Sequence, residues 1–263
     1  SGLVGSEMCI RDSSLLAGSQ FVSTASYSLS DSIRLRYKSS ASILVAYNMF
    51  SPSYSLISPD LLPSQVLPRV GFNLVWFSKT VGPGRGLEAF CTALSRVQAS
   101  RPITLHLIGS CSPPFREALQ QLLASDSSAE VSLNFIGPLP PDTLSSILPL
   151  YDLGLALEQR FPLSRDLTVT YKFFQYISSG LAVLSTPTTG QLEAQGLCPG
   201  SVVYSDDASP ESLLGALQQI LQHGAIDRMK QASRLHSVSS CNWSTYSESF
   251  LKIISSRLLE MSF

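Results

Sequence analysis

The stretch "NLVWFSKTVGPGRGLEAF" (73–90) runs from an apolar segment through a glycine- and proline-rich corner into a second apolar-periodic segment. "NLVWFS" (73–78) reads as a strand buried on both faces, as in the middle of a parallel sheet covered by helices. Gly82, Gly84 and Gly86 let the chain turn sharply and leave backbone amides uncovered. A helix beginning at Gly86 or Leu87 adds free amides and a partial positive charge. Lys79, at the strand end, and Arg85, inside the corner, add two full charges. Such a corner suits a phosphate.

Three other readings of the corner compete with an anion site. A dinucleotide fingerprint needs G-x-G-x-x-G, but Leu87 stands where the third glycine belongs, and "ITLHLIGS" (103–110) ends without the ribose-binding carboxylate. A nicotinamide-dependent oxidoreductase is therefore disfavoured. A Walker loop needs G-K-[S/T], which is missing. A plain strand-to-helix turn is the third, and the two flanking cations weigh against it.

Working outward, the alternation continues. With 73–78 the first, strands are expected at 103–108, 131–136, 152–157, 181–185 and 201–204. Helices are expected at about 86–98, 114–124, 141–149, 168–179, 210–222 and 226–238, with a last one near 244–259. Strands alternating with helices give a doubly wound α/β fold, a Rossmann-like parallel sheet. Its ligands bind beyond the carboxyl ends of the strands, where the loops 79–86, 109–113, 158–166 and 186–190 gather. Gly109 closes "HLIG" and permits close backbone approach there. Upstream, "QFVSTAS" and "SILVAYN" read as strands around a helix with Leu29, Ile33 and Tyr37 on one face. "MFSPSYSLISPDLLPSQVLPRVGF" carries Pro52, Pro59, Pro63 and Pro68 and reads as a linker.

The second constellation is "SRDLTVTYKFFQYISSGLAVLSTPTTGQLE" (164–193). On a helix starting near Thr168, with Asp166 as N-cap, Lys172, Gln175 and Tyr176 share a polar face that looks into the cleft. Phe173, Phe174 and Ile177 point into the core. The loop "EQRFPLSRD" (158–166) is long and polar, with Glu158, Arg160 and Arg165 available for binding.

Composition bounds the answer. At 263 residues, 44% hydrophobic and 14% charged, with a net charge of −1, the chain is globular with ample core. Nothing in it suggests bulk binding to nucleic acid, and its apolar runs are too short or too interrupted to span a bilayer. The five cysteines (Cys9, Cys91, Cys111, Cys198 and Cys241) include no C-x-x-C pair and do not cluster with the three histidines. They read as small buried hydrophobes in a reducing compartment, and no metal site is expected. "SGLVGSEMCIRDS" (1–13) has no basic n-region and no proper h-region, so it is not a signal peptide. It resembles translated adapter read-through, and the gene is expected to begin upstream.

Taken in order, "YN" (47–48), "FSKTVGPGRGLE", "LHLIG", "FIGPLPPDTL", "YDLGLALE", "LTVTYKFFQYISSGLAVLSTPTTGQLE" and "NWSTYSESFLKII" resemble the C-terminal half of retaining glycosyltransferases of the GT-B fold. The group is the one known as glycosyltransferase family four, and the resemblance covers roughly residues 20–260. It implies residues 20–48 as a remnant of the N-terminal, acceptor-binding Rossmann domain, after a tail, 1–19, that the adapter-like segment marks as non-native or disordered. Residues 49–70 are then the interdomain linker, 71–240 the nucleotide-sugar-binding Rossmann domain, and 241–263 a C-terminal helix.

The resemblance also assigns roles. Lys79 and Arg85, followed by Gly86, match the cations that bind the donor diphosphate, and they carry the catalytic charge stabilisation. Counting back from Gly180, the ribose-binding glutamate of the family's paired motif falls on Gln175, a neutral amide that still hydrogen-bonds a hydroxyl. The first glutamate falls on Leu167, leaving Glu158, Asp166 or Thr168 to replace it at the sugar. Lys172 and the amides of Thr188, Thr189 and Gly190 are further donor-site candidates, beside Gly82, Gly84 and Gly109. The implied donor is a nucleoside-diphosphate sugar, with no cofactor and no metal. The implied acceptor is a glycan or lipid-linked molecule held by the missing N-terminal domain, in bacterial polysaccharide biosynthesis. The expected location is cytoplasmic, with peripheral membrane association of the full-length protein. The truncated chain is expected to be inactive in transfer. Two rival classes share the fold: a sugar-nucleotide epimerase and a non-catalytic nucleotide-sugar-binding module.

Overall fold

Leu74, Val75, Trp76 and Phe77 are each no more than 2% exposed, as an apolar run in a central parallel strand requires. They lie in β3 (Phe72–Val81) of a computed structural model that describes residues 16, 18–19, 21–37, 42–51, 64–66, 68–124 and 129–260. β3 pairs in parallel with β4 (Ile103–Cys111) on one side and β6 (Leu153–Ala156) on the other. With β5 (Val131–Ile136), β7 (Ala182–Ser185) and β8 (Val202–Tyr204), the sheet order is β5-β4-β3-β6-β7-β8. Chain order runs outward from β3 in one direction and then from β6 in the other, so the order reverses between these two strands. That is the doubly wound arrangement, and its crevice opens at their carboxyl ends.

Alternate residues of β3 feed two cores, one on each face of the sheet. Leu74 and Trp76 join Phe90 and Leu94 of α2 (Leu87–Ser95) and Leu119 of α3 (Pro113–Ala124). The same layer takes Leu213 and Leu217 of α8 (Pro210–Ile220). Val75 and Phe77 face Ile147 of α4 (Pro141–Ile147) and the aromatic pair Phe173–Phe174 of α6 (Tyr171–Ser178). Cys91, Cys198 and Cys241 are buried as expected and Cys111 half-buried; Cys9 lies outside the described residues. α9 (Ala225–Ser237) and α10 (Trp243–Glu260) complete the chain.

Two elements differ from the sequence reading. β3 runs past Ser78 to Val81, so Lys79 and Thr80 belong to the strand rather than to the loop. Its register against β4 shifts between Phe77 and Thr80. The shift brings Ser78 onto Gly109, whose φ is +142° and whose added Cβ would lie 2.1 Å from the Ser78 carbonyl oxygen. Gly109 is therefore required by this bulge. The helix expected at 168–179 is broken into α5 (Leu163–Leu167) and α6, joined by Thr168-Val169-Thr170. Asp166 consequently lies inside α5, and Thr170 is the N-cap of α6. Tyr176 is also not on a polar face. It is fully buried, its hydroxyl donates to the Val75 carbonyl at 3.2 Å, and its ring fills the space a side chain at Gly154 would need.

At the N-terminal end, β1 (Phe21–Thr24), α1 (Tyr27–Tyr37) and β2 (Ser42–Val45) form a parallel strand–helix–strand unit. It packs on the large sheet's helices. Ile43 and Val45 are buried, and the Tyr47 ring packs at a tilt against Phe174 and Tyr246, with centroids 5.6 and 5.8 Å away. Much of the expected tail (1–15, 17) and of the linker (52–63, 67) lies outside the described residues. Within the linker Val66 is fully buried, and its carbonyl accepts from the Tyr151 hydroxyl at 2.7 Å.

Candidate functional site

The crevice opens where β3 and β6 diverge, and the Gly82–Gly86 corner stands in it. Gly84 and Gly86 take positive φ values of 68° and 80°. Gly86 is the N-cap of α2, and a Cβ there would meet the Leu157 Cβ at 3.1 Å and the Gln159 Nε2 at 3.3 Å. The loop after β6 thus passes directly over the start of α2, which only glycine permits. The corner is braced from both sides. The Gly84 amide donates to Glu88 Oε1 at 3.1 Å, and Arg165 Nη1 donates to the Gly84 carbonyl at 2.8 Å. Gly82 has open space on its Cβ side apart from one Thr80 methyl at 3.6 Å.

Beside the corner lies a cavity of about 390 Å³, over the carboxyl ends of β3 and β4 and in front of α4. Lys79, Tyr171 and Gln175 supply its polar wall with Ser78 and Ser145, while Ile108, Leu139 and Leu144 supply apolar surface. Apolar walls with a few convergent polar groups are the usual make-up of a small-molecule site. Gln175 is buried, and its Nε2 donates to the Ser145 hydroxyl at 3.4 Å. Tyr171 stands near both cations. Its ring borders the cavity that Lys79 lines, while its phenol feels the Arg85 guanidinium. Burial, then the Glu158 carboxylate, push that phenol's pKa up, and Arg85 pulls it back.

Lys172 does not line the cavity. It is buried and pairs with Glu158, Nζ to Oε1 at 2.8 Å, with its amine 5.5 Å from the Trp76 ring centroid. A buried ammonium needs such a partner, so the cleft-facing expectation is corrected. The same pair commits one oxygen of Glu158. Thr168 donates its hydroxyl to the Ser164 carbonyl at 2.7 Å. Asp166 turns to Thr189, accepting from its amide at 3.1 Å and its hydroxyl at 2.8 Å. Thr188 caps α7 (Thr189–Glu193), and its amide donates to Thr186. The amides of Thr188 and Thr189 are therefore engaged within the fold. Gly190 is a packing glycine, since a Cβ would lie 2.4 Å from the Thr168 carbonyl carbon. A second cavity of about 260 Å³ lies on the β7 side, between Glu158, Arg160, Thr186 and Asp207.

The structure brings Lys79 and Gln175 together on one cavity, whose lining includes neither Arg85 nor Gly82–Gly86. Tyr171, Ser145 and Glu88 were missed in the sequence. Tyr171 was legible only as a neighbour of Lys172, and Ser145 only as part of "PPDTLSS". Among the described residues no group of three or more His, Cys, Asp or Glu side chains could hold a metal ion. No helix among them is long and apolar enough to cross a membrane.

The strand order, with the glycine corner at its switch point, is a doubly wound α/β architecture, and solved structures share it. The chain is similar to sucrose-phosphate synthase of Thermosynechococcus elongatus (TM-score 0.65, 14% identity, covering 97% of this chain and 62% of that one). It is also similar to HepE of Anabaena in complex with UDP-glucose (TM-score 0.69, 15% identity, 94% and 67% covered). WaaG, a glycosyltransferase of lipopolysaccharide biosynthesis, follows (TM-score 0.59, 17% identity, 86% and 60% covered). The fold is thus the Rossmann-like α/β fold of GT-B glycosyltransferases. The chain spans 62% of the length of the synthase. No protein-family model matches the sequence, and no curated protein matches it.

Proposed function

We propose that this chain is the donor-binding half of a retaining GT-B glycosyltransferase that uses a nucleoside-diphosphate sugar. The observation that carries the reading is the cavity of about 390 Å³ bearing Lys79 and Gln175, set against a glycine corner that holds Arg85. The apolar wall suits a base, the Gln175 amide a ribose hydroxyl, and the cations with the α2 amides a diphosphate. Preorganised positive charge at that point stabilises the departing diphosphate, which is the main physical demand of the transfer. HepE, solved with UDP and with UDP-glucose, supports this class of donor. The acceptor is proposed to be a glycan or lipid-linked molecule at the cytoplasmic membrane periphery, held by a domain of which residues 20–48 are one unit.

A second reading has one observation in its favour. Leu167 and Gln175 replace the paired carboxylates, and Glu158 is committed to Lys172. A non-catalytic nucleotide-sugar-binding module would need no more.

Calorimetry of the 263-residue chain with UDP, GDP and ADP tests the donor site. Arg85→Ala is expected to weaken binding of the preferred nucleotide by about 1–3 kcal/mol, the range for a charged hydrogen bond. Unchanged affinity removes Arg85 from the site, and no binding by any of the three sinks the reading. Hydrolysis of bound donor sugar, assayed in parallel, separates an enzyme from a binding module. Transfer to glycan or lipid acceptors is expected to be missing in this chain.

A further inference from the structure

We propose that Tyr171 is a donor-binding residue whose hydroxyl hydrogen-bonds the diphosphate between Lys79 and Arg85, an inference that rests on the donor site proposed above. Tyr171 opens α6 at the mouth of the crevice and is 43% exposed although it borders the cavity. Its ring has aromatic packing on one side. It packs edge-on to Phe77 at 5.8 Å between centroids, and Phe77 is itself fixed edge-on to Tyr176 at 5.2 Å. The Lys172 amine lies 5.7 Å from the ring centroid on the interior side. An aromatic body anchored in this way presents its polar tip to the wet side of the site.

The surroundings of that tip decide what it can bind. A phenol is protonated at neutral pH and so a donor; burial, then the Glu158 carboxylate, which is itself committed to Lys172, only raise its pKa further. Arg85 acts on the same phenol from the glycine corner, and Lys79 stands on the same cavity wall. A ligand group meeting both cations and a hydrogen-bond donor is an anion. A phosphate of the nucleotide sugar fits that position, whereas the uncharged nucleoside belongs on the apolar wall at Leu139 and Leu144. The phenol thus supplies a neutral donor between two charges.

Isothermal calorimetry on the full chain tests this with whichever of UDP, GDP and ADP binds the wild type, beside the matching nucleoside. Tyr171→Phe keeps the ring and its contact with Phe77, and removes only the hydroxyl. The expected result is about a tenfold loss of affinity for the nucleoside diphosphate with nucleoside affinity unchanged. Tyr171→Leu should lose at least as much for the diphosphate, and thermal unfolding of both variants checks that the fold is kept. Equal diphosphate affinity in wild type and Tyr171→Phe overturns the inference while leaving the donor site standing. Equal losses for nucleoside and nucleotide overturn it too, since they mark a wall of the base pocket. Failure of the wild type to bind any of the three nucleotides overturns both.

Discussion

Lys172 and Glu158 form an ion pair 2.8 Å long in which each side chain is only 4% exposed. The pair joins the loop after β6 to α6 beneath the proposed donor site. Taking two charges out of water costs several kcal/mol each, which their attraction repays only with good geometry, so breaking one side is worse than removing both. Lys172→Met is expected to destabilise the chain by about 3–5 kcal/mol, measured by urea unfolding. Lys172→Met combined with Glu158→Leu should recover most of that loss. A double variant as unstable as the single one would contradict the pairing.

Gln175 sits where the resemblance expects a glutamate, and its amide borders the same cavity as Lys79. Gln175→Glu restores the charge next to a proposed ribose. A hydrogen bond to a charged group is stronger than a neutral one by about 1 kcal/mol, so nucleotide binding should tighten about fivefold. Calorimetry that finds no change leaves Gln175 a bystander.

His106 gives a pH dependence far from the site. Its Nδ1 accepts from the Asn134 amide and its Nε2 donates to Asn73 Oδ1, each at 3.0 Å. The Asn73 Nδ2 is turned to the carbonyls of Arg69 and Gly71, which leaves Oδ1 as the acceptor and fixes the neutral imidazole. Burial, with a smaller push from Arg69, lowers its pKa from 6.5 to about 4. The unfolded chain therefore binds a proton that the folded chain refuses between these values. Stability is full above pH 6.5 and falls as pH drops toward 4, by about 3 kcal/mol over the window. Urea unfolding at pH 7.5, 5 and 4 should show a shallower slope in His106→Gln. Equal slopes would exclude His106 as the cause.

Much of this architecture can be read from local pattern. The six strands of the large sheet are apolar segments bounded by polar or glycine residues, and each forms within a few residues of its expected place. The break before α6 had a signal too: Thr168-Val169-Thr170 is a run of three β-branched residues, which lose side-chain freedom in a helix. Other features depend on partners distant in sequence. The extension of β3 through Lys79 requires Gly109 on the neighbouring strand, and Lys172 finds Glu158 only because α6 packs under β6. The positive corner was legible because glycines and cations are local. The cavity wall was not, since Leu139, Ser145 and Tyr171 meet only after the sheet has formed.

Glu193, which the sequence reading left without a role, joins the N-terminal unit to the large sheet. Its carboxylate accepts from the amides of Tyr27 and Ser28 at 2.7 and 2.8 Å, from the Ser28 hydroxyl at 2.8 Å and from the Tyr47 hydroxyl at 2.6 Å. The first two are free donors at the start of α1, where a negative charge is also favoured by the helix dipole. The Tyr47 phenol is pushed up by burial and by this carboxylate, so it stays a donor. A single carboxylate thus satisfies one helix end and one aromatic where the N-terminal unit meets the large sheet. Tyr246 adds a bond from its hydroxyl to the Val45 carbonyl at 2.6 Å. Glu193→Ala leaves the half-buried Ser28 donors and the buried Tyr47 hydroxyl unpaired, which costs about 1–3 kcal/mol. The loss should be confined to one region, because one core of the large sheet takes no residue from 21–47 and the other takes only Val45 and Tyr47 from that segment. Amide hydrogen exchange is the measurement, and residues 21–47 are expected to lose protection while 72–111 keep theirs. Uniform loss across both segments would mean that the N-terminal unit and the large sheet unfold as one body, and the carboxylate would then be a global rather than a local tie.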